Sequence, residues 1–216
     1  IIGNKTEGSL IIMANSWGLN DDAVKAETFK EGRDKIFAFN SAKKRSTAII
    51  QLNNGKIRLY CKGATEWVLK DCTTYLDTNG KSTKLNATKR QEFESFVKEM
   101  AESALRTLCL AHRDFPSMSA LPVNWRESPP DFEELTMDCI VGIIDPLRSD
   151  VKDAVTTAQK AGVTVRMVTG DNIETAKAIA RQCGILTEGG MAIEGPIFRE
   201  LIPAQADEIL PSLQVM

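Results

Sequence analysis

The sequence offers little to a metal ion. Its 216 residues contain one histidine, His112, and five cysteines standing far apart: Cys61, Cys72, Cys109, Cys139 and Cys183. No Cys-x-x-Cys pair occurs, which excludes a zinc site of the usual ligand spacing. Thiols scattered this way in a chain of this length read as reduced and cytosolic rather than as a disulfide framework. No carboxylate-rich loop has EF-hand spacing. No apolar run approaches the ~18 residues that span a bilayer, and the start has no secretory signal pattern. The charges nearly cancel, with 27 Lys and Arg against 29 Asp and Glu. A net charge of −2 leaves no global footprint for nucleic acid or anionic lipid, so no nucleic-acid partner is expected. Internal repeats and low-complexity tracts are absent. Apolar side chains are plentiful at 43%, enough to pack one large domain or two modest ones. The ends read as cut. Ile1-Ile2-Gly3 opens without methionine, and Pro203 to Met216 trails off without a closing element, which predicts a piece of a longer protein.

Along the chain, Gly3 to Glu7 reads as a turn feeding a helix capped by Thr6, with Leu10, Ile11, Ala14 and Trp17 on one face. Gly18 ends that helix, and Asn20-Asp21-Asp22 reads as loop. Three strands follow at 35–40, 46–52 and 56–62, the last two joined at Asn53-Asn54-Gly55, and short turns of this kind make an antiparallel sheet. Gly63 breaks the third strand, and a helix is expected over 64–72. Asp77 to Gly80 is a turn. A longer helix over 88–105, capped by Thr88, carries Phe93, Phe96, Val97, Met100, Ala101 and Leu105 as a core stripe. A strand returns at 106–112. Four prolines between 116 and 131 mark a surface loop. Trp17, Trp67 and Trp125 read as packing, and His112 as a satisfied polar residue.

Composition then changes. Asp138 to Asp145 holds a continuous apolar run of the kind that suits a parallel strand covered on both faces. Ser149 caps a helix with Val151, Val155 and Ala158 on its apolar face, and Gly162 closes it. Val163 to Val168 is a second strand. Asn172 caps another helix, closed at Gly184. The pattern strand–helix–strand–helix is the parallel βαβ unit. The expected fold class is therefore an α+β antiparallel sheet with flanking helices, residues 1–136, followed by a partial α/β parallel unit, residues 137–216. A parallel sheet lacking a neighbouring strand exposes an unpaired edge, so the second part is expected to be the less stable.

Candidate chemistry gathers at strand ends. In open α/β sheets ligands bind beyond the carboxyl ends of the strands, which singles out Asp145 and Thr169-Gly170-Asp171. Thr169 offers a hydroxyl, Gly170 lets a phosphoryl oxygen approach the backbone, and Asp171 suits magnesium or a ribose hydroxyl. Arg148 fits a phosphate, or an ion pair with Asp145 or Asp150. The bland alternative is a capped strand-to-helix turn. In the first part Lys62 precedes Gly63-Ala64, where small residues leave room for a flat ligand. Phe39 suits base stacking, and Lys43, Lys44 and Arg45 suit phosphate charge. The bland alternative is that the lysines are solvated and Phe39 is core.

Six motifs taken in order resemble the P-type ATPases, and among them the calmodulin-regulated, plasma-membrane-type calcium pumps of plants and protists. They are Gly3-Asn4-Lys5-Thr6-Glu7, Phe39-Asn40-Ser41 with Lys43-Lys44-Arg45, Lys62-Gly63-Ala64-Thr65-Glu66, Leu105-Arg106-Thr107-Leu108, Asp145-Pro146-Leu147-Arg148 and Met167-Val168-Thr169-Gly170-Asp171-Asn172. Leu147 departs from the family's usual proline, and Thr65 from its usual proline or serine. The resemblance implies an ATP- and magnesium-dependent function. Residues 1–136 would be the nucleotide-binding domain, with Glu7 on the adenine amino group, Phe39 stacked on the ring, Lys44, Lys62 and Gly63 in the pocket and Arg106 on the phosphates. Residues 137–216 would be part of a haloacid-dehalogenase-like phosphorylation domain. There Thr169, Gly170 and Asp171 would meet the transferring phosphoryl group, and Asp145 would help position nucleotide and magnesium. The family's Asp-Lys-Thr-Gly-Thr motif, which carries the phosphorylated aspartate, is not in this chain, nor is any membrane helix. The resemblance therefore implies a multi-pass membrane parent, in the plasma or an internal membrane, with this piece on the cytosolic side and inactive alone. Its partners would be ATP, the membrane and actuator domains, and calmodulin on parts outside this chain. The rival readings are a pump for another cation, a soluble haloacid-dehalogenase-type phosphatase, and a non-catalytic module.

Overall fold

A computed structural model describes residues 4–130 and 133–216. Its elements run in the order α1 (Lys5–Ser16), α2 (Asp21–Thr28), β1 (Lys35–Asn40), β2 (Arg45–Gln51), β3 (Ile57–Ala64), α3 (Thr65–Lys70), β4 (Cys72–Leu76), β5 (Ser82–Lys84), α4 (Ala87–Glu102), β6 (Leu105–Phe115), β7 (Leu135–Ile144), α5 (Val151–Lys160), α6 (Ile173–Gln182), β8 (Met191–Ala192), α7 (Gly195–Arg199), α8 (Pro203–Ile209) and β9 (Leu213–Val215). Two compact units result. One runs through Glu92 and resumes over Thr107–Ile143; the other joins Phe93–Arg106 to Ile144–Met216.

The first unit is built on a seven-stranded sheet in the order β1-β2-β3-β6-β7-β4-β5. β1, β2, β3 and β6 pair antiparallel, as expected from the short turns between the first three. Alternation along β3 sends Ile57, Leu59 and Cys61 into the core, each no more than 2% exposed. Val68, Leu69 and Cys72 cover them from α3 and the start of β4. Burial pushes the Cys61 thiol up to about 12, against the pull of Arg45, so this cysteine is a packing residue and not a nucleophile.

Several expectations are corrected here. The sheet is mixed rather than antiparallel, because β4 pairs parallel with β7. β4 lies where the helix of 64–72 ends, and its β-branched pair Thr73-Thr74 favours extended backbone. β7 had been grouped with the second architecture, yet it is a strand of this sheet. Gly63 does not break β3, which continues to Ala64. Asn20 caps a helix rather than opening a loop, its side chain accepting from the Ala23 amide at 2.9 Å. The predicted caps at Thr6, Thr88 and Ser149 also shift. Asn4 accepts from the Thr6 amide and Asn86 from the Lys89 amide, while Asp150 precedes α5 without a side-chain cap bond. Asn and Asp outrank Thr at such positions because the short carboxamide or carboxylate reaches the free amides more readily. The core stripe of α4 is mostly half-buried: Ala101 is buried, Phe93, Val97, Met100 and Leu105 are partly covered, and Phe96 is 50% exposed. Trp125 is packed, whereas Trp17 and Trp67 are exposed.

One buried carboxylate pins the entry to β1. Asp34 accepts from the Lys30 amide at 2.7 Å, the Gln51 amide at 3.0 Å and the Arg33 guanidinium at 2.7 Å. Burial opposes its charge most strongly of any single influence, but the Arg33 and backbone bonds together hold its carboxyl below the ordinary value. A lowered folded value means that Asp34 stabilises the fold above the ordinary carboxylate range and ceases to do so as pH falls through the lowered one. Asp34→Asn is therefore expected to lower stability at pH 7 and to flatten the acid limb of the unfolding profile. Urea midpoints measured between pH 3 and 7 check this; equal losses at both ends would rule it out.

The second unit buries Val155, Ala176, Ala180, Cys183, Ile185 and Val215 together. β8 pairs parallel with β9. On the other side of β9, Met167 makes a single parallel bridge to Val215. The Met167 amide donates to the Gln214 carbonyl, and the Met216 amide to the Met167 carbonyl, each at 2.9 Å. The strand expected over 163–168 is thus an extended segment with one bridge, and Val163 and Val168 are 55% and 71% exposed. The C-terminal stretch does not trail off. α8 leads into β9, whose Leu213 and Val215 are buried. Asn172 caps α6 as expected, and Gly162 and Gly184 close α5 and α6 with φ near +80°.

Candidate functional site

In the first unit, two of the residues expected to bind a ligand, Glu7 and Lys62, meet on the more open face of the sheet. Asn4 starts α1, and Glu7 follows in its first turn. Lys62 stands on β3, with Ser46 of β2 on one side and Leu110 of β6 on the other. Its Nζ lies 2.7 Å from Glu7 Oε1. Both side chains are partly exposed, so the pair adds at most about 1 kcal/mol and opens at little cost. Beside it is a cleft of about 470 Å³, walled by Ile36, Phe37, Ala48, Tyr60, Leu110 and Asp138. This size suits a nucleoside-sized ligand. An apolar floor with one cation and two carboxylates provides a flat-ring platform and a charged rim. Asp138 is held there by His112, whose Nδ1 lies 2.6 Å from Asp138 Oδ1. The sequence reading of His112 as a satisfied polar residue agrees with this.

Two predicted residues sit differently. Phe39 is 56% exposed and outside the cleft lining, while Phe37 borders the cleft from the other face of the sheet, paired with Thr47 and with its ring beside Lys35. The register of β1 against β2 slips between Phe37 and Asn40, and such an irregularity breaks the alternation that would put both rings on one face. Phe37, Tyr60 and Asp138 are lining residues that the motifs did not mark. The period-2 pattern of β3 is the signal that would have found Tyr60, which shares a face with Lys62. Lys44 has φ of 52° in the β1–β2 turn and is not part of the cleft wall. Its carbonyl accepts from the Ala64 amide at 3.0 Å. Gly63 leaves no vacant room, for a Cβ there would fall 2.5 Å from the Lys44 carbonyl oxygen. Its smallness admits the β2 backbone. Arg45 is buried against Asp71 at 2.7 Å, so its charge is committed to structure.

The second unit assembles the other five candidates. Arg106 Nε lies 2.8 Å from Asp171 Oδ1, and its Nη2 lies 3.2 Å from Asp171 Oδ2 and 3.7 Å from Asp145 Oδ2. The Thr169 hydroxyl donates to Asp171 Oδ2 at 3.0 Å and accepts from the Asp171 amide at 3.2 Å. Arg106, rather than Arg148, is thus the cation beside Asp145. At Gly170 a Cβ would meet nothing within 4 Å, so its backbone is open to an approaching group. The arrangement is one guanidinium between two carboxylates with a hydroxyl alongside, at the carboxyl end of an extended segment. Among the described residues no three His, Cys, Asp or Glu side chains come together to hold a metal. No helix among them is long and apolar enough to cross a membrane.

Comparison with known proteins places these features. The family described as P-type ATPase, cytoplasmic domain N, matches residues 1–150. Calcium-transporting ATPase 4, plasma membrane-type, of Arabidopsis thaliana is 48% identical over 182 residues, 84% of this chain and 17% of that protein. Putative calcium-transporting ATPase 11, plasma membrane-type, of the same plant is 44% identical over 216 residues, all of this chain and 20% of that protein. Human plasma membrane calcium-transporting ATPase 4 is 38% identical over 226 residues, all of this chain and 18% of that protein. The chain thus spans a fifth or less of the length of these relatives.

Proposed function

The chain belongs to the P-type ATPases, and on that premise we propose that it is the nucleotide-binding piece of a calcium-transporting member, joined to part of the phosphorylation domain. The Glu7–Lys62 pair on the rim of an apolar cleft carries this reading. Lys62 would meet the nucleotide phosphates as a point charge. Glu7, released from Lys62, would accept from the adenine amino group. The ring would lie over the apolar floor of Ile36, Ala48, Tyr60 and Leu110, with Phe39 at the rim. Arg106, Asp145, Thr169, Gly170 and Asp171 would serve phosphoryl transfer in a haloacid-dehalogenase-like unit, where catalysis rests on positioning and charge neutralisation. The sequence division of 1–136 and 137–216 would cut β7, so the division proposed falls at the contact boundary near Ile143.

Magnesium fits this chain only in company. Asp145 and Asp171 share one guanidinium and form no cage, so the ion would be held through phosphate oxygens with one of these carboxylates, as is usual for magnesium. In the whole protein ATP would phosphorylate an aspartate outside this chain and so drive calcium export across a membrane. This piece would lie on the cytosolic side, and calmodulin would act on other parts.

ATP titration by calorimetry, with NMR shifts to locate it, tests the reading. An isolated domain is expected to bind with Kd on the order of 0.1–1 mM, about −4 to −5.5 kcal/mol. Lys62→Ala is expected to weaken binding about tenfold or more. Phe37→Ala and Phe39→Ala, measured side by side, identify which ring stacks. A folded wild type that does not bind ATP would reject the proposal.

A further inference from the structure

The first unit has a second cleft, of about 410 Å³, between β1 and the segment 126–129. Its lining includes four basic side chains, Lys35, Lys43, Arg45 and Arg126, against one acid, Glu127. In a chain of net charge −2 this is a local reversal of sign. We propose that the cleft is a binding site for a small, multiply charged phosphate anion, separate from the nucleotide cleft.

Three observations support it. First, the Arg45 side chain is only 8% exposed and yet lines the cleft. Its charge is offset by Asp71, so Arg45 shapes this wall and the net positive charge of the cleft comes from Lys35, Lys43 and Arg126. Arg45 is fixed there by Asp71 Oδ2 at 2.7 Å and by the Trp67 carbonyl at 3.1 Å, so it is oriented before any ligand arrives. Second, the opposite wall is also placed in advance. The Arg126 guanidinium stacks 4.4 Å from the ring of Trp125, which is buried, and donates to the Arg33 carbonyl at 3.2 Å. Third, Lys35 and Lys43 bracket β1 at its two ends, so charge comes to the cleft from both ends of one strand. The volume of about 410 Å³ admits a diphosphate.

This cleft and the nucleotide cleft share β1 as a wall, but Lys62 and Glu7 line only the latter. The proposal therefore does not depend on the nucleotide reading, and the two fail separately.

The probe is inorganic pyrophosphate, followed by amide shifts and calorimetry on the whole chain at low salt. The expected result is saturable binding with shifts at Lys35, Lys43 and Arg126, undiminished in Lys62→Ala. Lys35→Gln and Arg126→Ala are expected to weaken it about five- to tenfold, because each removes one charge-assisted contact. Glu127→Gln is expected to tighten it two- to fivefold, a gain that damage to the fold cannot imitate. Absence of pyrophosphate binding overturns the proposal. So does loss of binding in Lys62→Ala, which would assign the phosphates to the nucleotide cleft. Binding to vesicles of an anionic lipid without binding to pyrophosphate also overturns it, because the ligand would then be a membrane surface.

Discussion

Gly63→Ala is expected to destabilise the first unit by about 2–3 kcal/mol and to weaken ATP binding with it. The added Cβ would sit 2.5 Å from the Lys44 carbonyl oxygen and 2.7 Å from Arg45 Cβ. Neither neighbour is a flexible tip. The first is backbone and accepts from the Ala64 amide at 3.0 Å. The second belongs to a side chain anchored on Asp71. Relief requires β2 and β3 to part at the end where Ser46 faces Lys62, and Lys62 shifts with them. Gly55→Ala is the matched control: its Cβ meets nothing within 4 Å, but φ is +80°, so only left-handed strain of about 1–2 kcal/mol is added, with no effect on ATP. Denaturant midpoints and an ATP titration of both variants check this. A Gly63→Ala protein within about 0.5 kcal/mol of wild type would mean that the strands are not locked there.

Val215→Asp is expected to unfold the second unit while leaving the first intact. Val215 is fully buried against Val155, Ala176 and Ala180, and its carbonyl accepts from the Ile193 amide at 3.0 Å. A carboxylate there has no partner, so it must stay protonated or open the unit, at a cost of about 4 kcal/mol or more. Its folded pKa would be raised. Whatever stability survives should be greatest below the ordinary carboxylate value and be lost as pH rises through the raised one. Hydrogen exchange should show α5 and α6 unprotected at pH 7, with β2, β3 and β6 still slow. Val215→Ala, which only leaves a cavity, should cost about 2 kcal/mol and keep the unit folded. Retained protection in α6 of the aspartate variant would refute the central role given to β9.

Legibility from sequence followed the range of the interaction concerned. β1, β2 and β3 were readable because period-2 alternation and the short Asn53-Asn54-Gly55 turn are local signals. So were the cap at Asn172 and the stop at Gly184, where one side chain or one positive φ decides. The choice between Phe37 and Phe39 was not readable, because a register slip against β2 is a property of the pair of strands. β4 was missed because its partner, β7, lies far along the chain, and a parallel pairing leaves no local trace. β9 was missed because a three-residue strand has too few positions to show a period.

Of the candidate sites, the sequence by itself determined which chemistry was available: Lys62 with Glu7, and Arg106 with Asp145, Thr169, Gly170 and Asp171. It also determined the family, because motif order is written along the chain. Only the tertiary structure decided which of these groups touch. It placed Glu7 on Lys62 and set Arg106 between two carboxylates. It filled the space over Gly63 with the Lys44 carbonyl and turned Arg45 toward Asp71. The physical reason is that residue type sets charge, shape and hydrogen-bonding capacity. Contact between residues 55 or 65 positions apart depends on how strands are registered and how helices cover them, and many side chains fix that jointly.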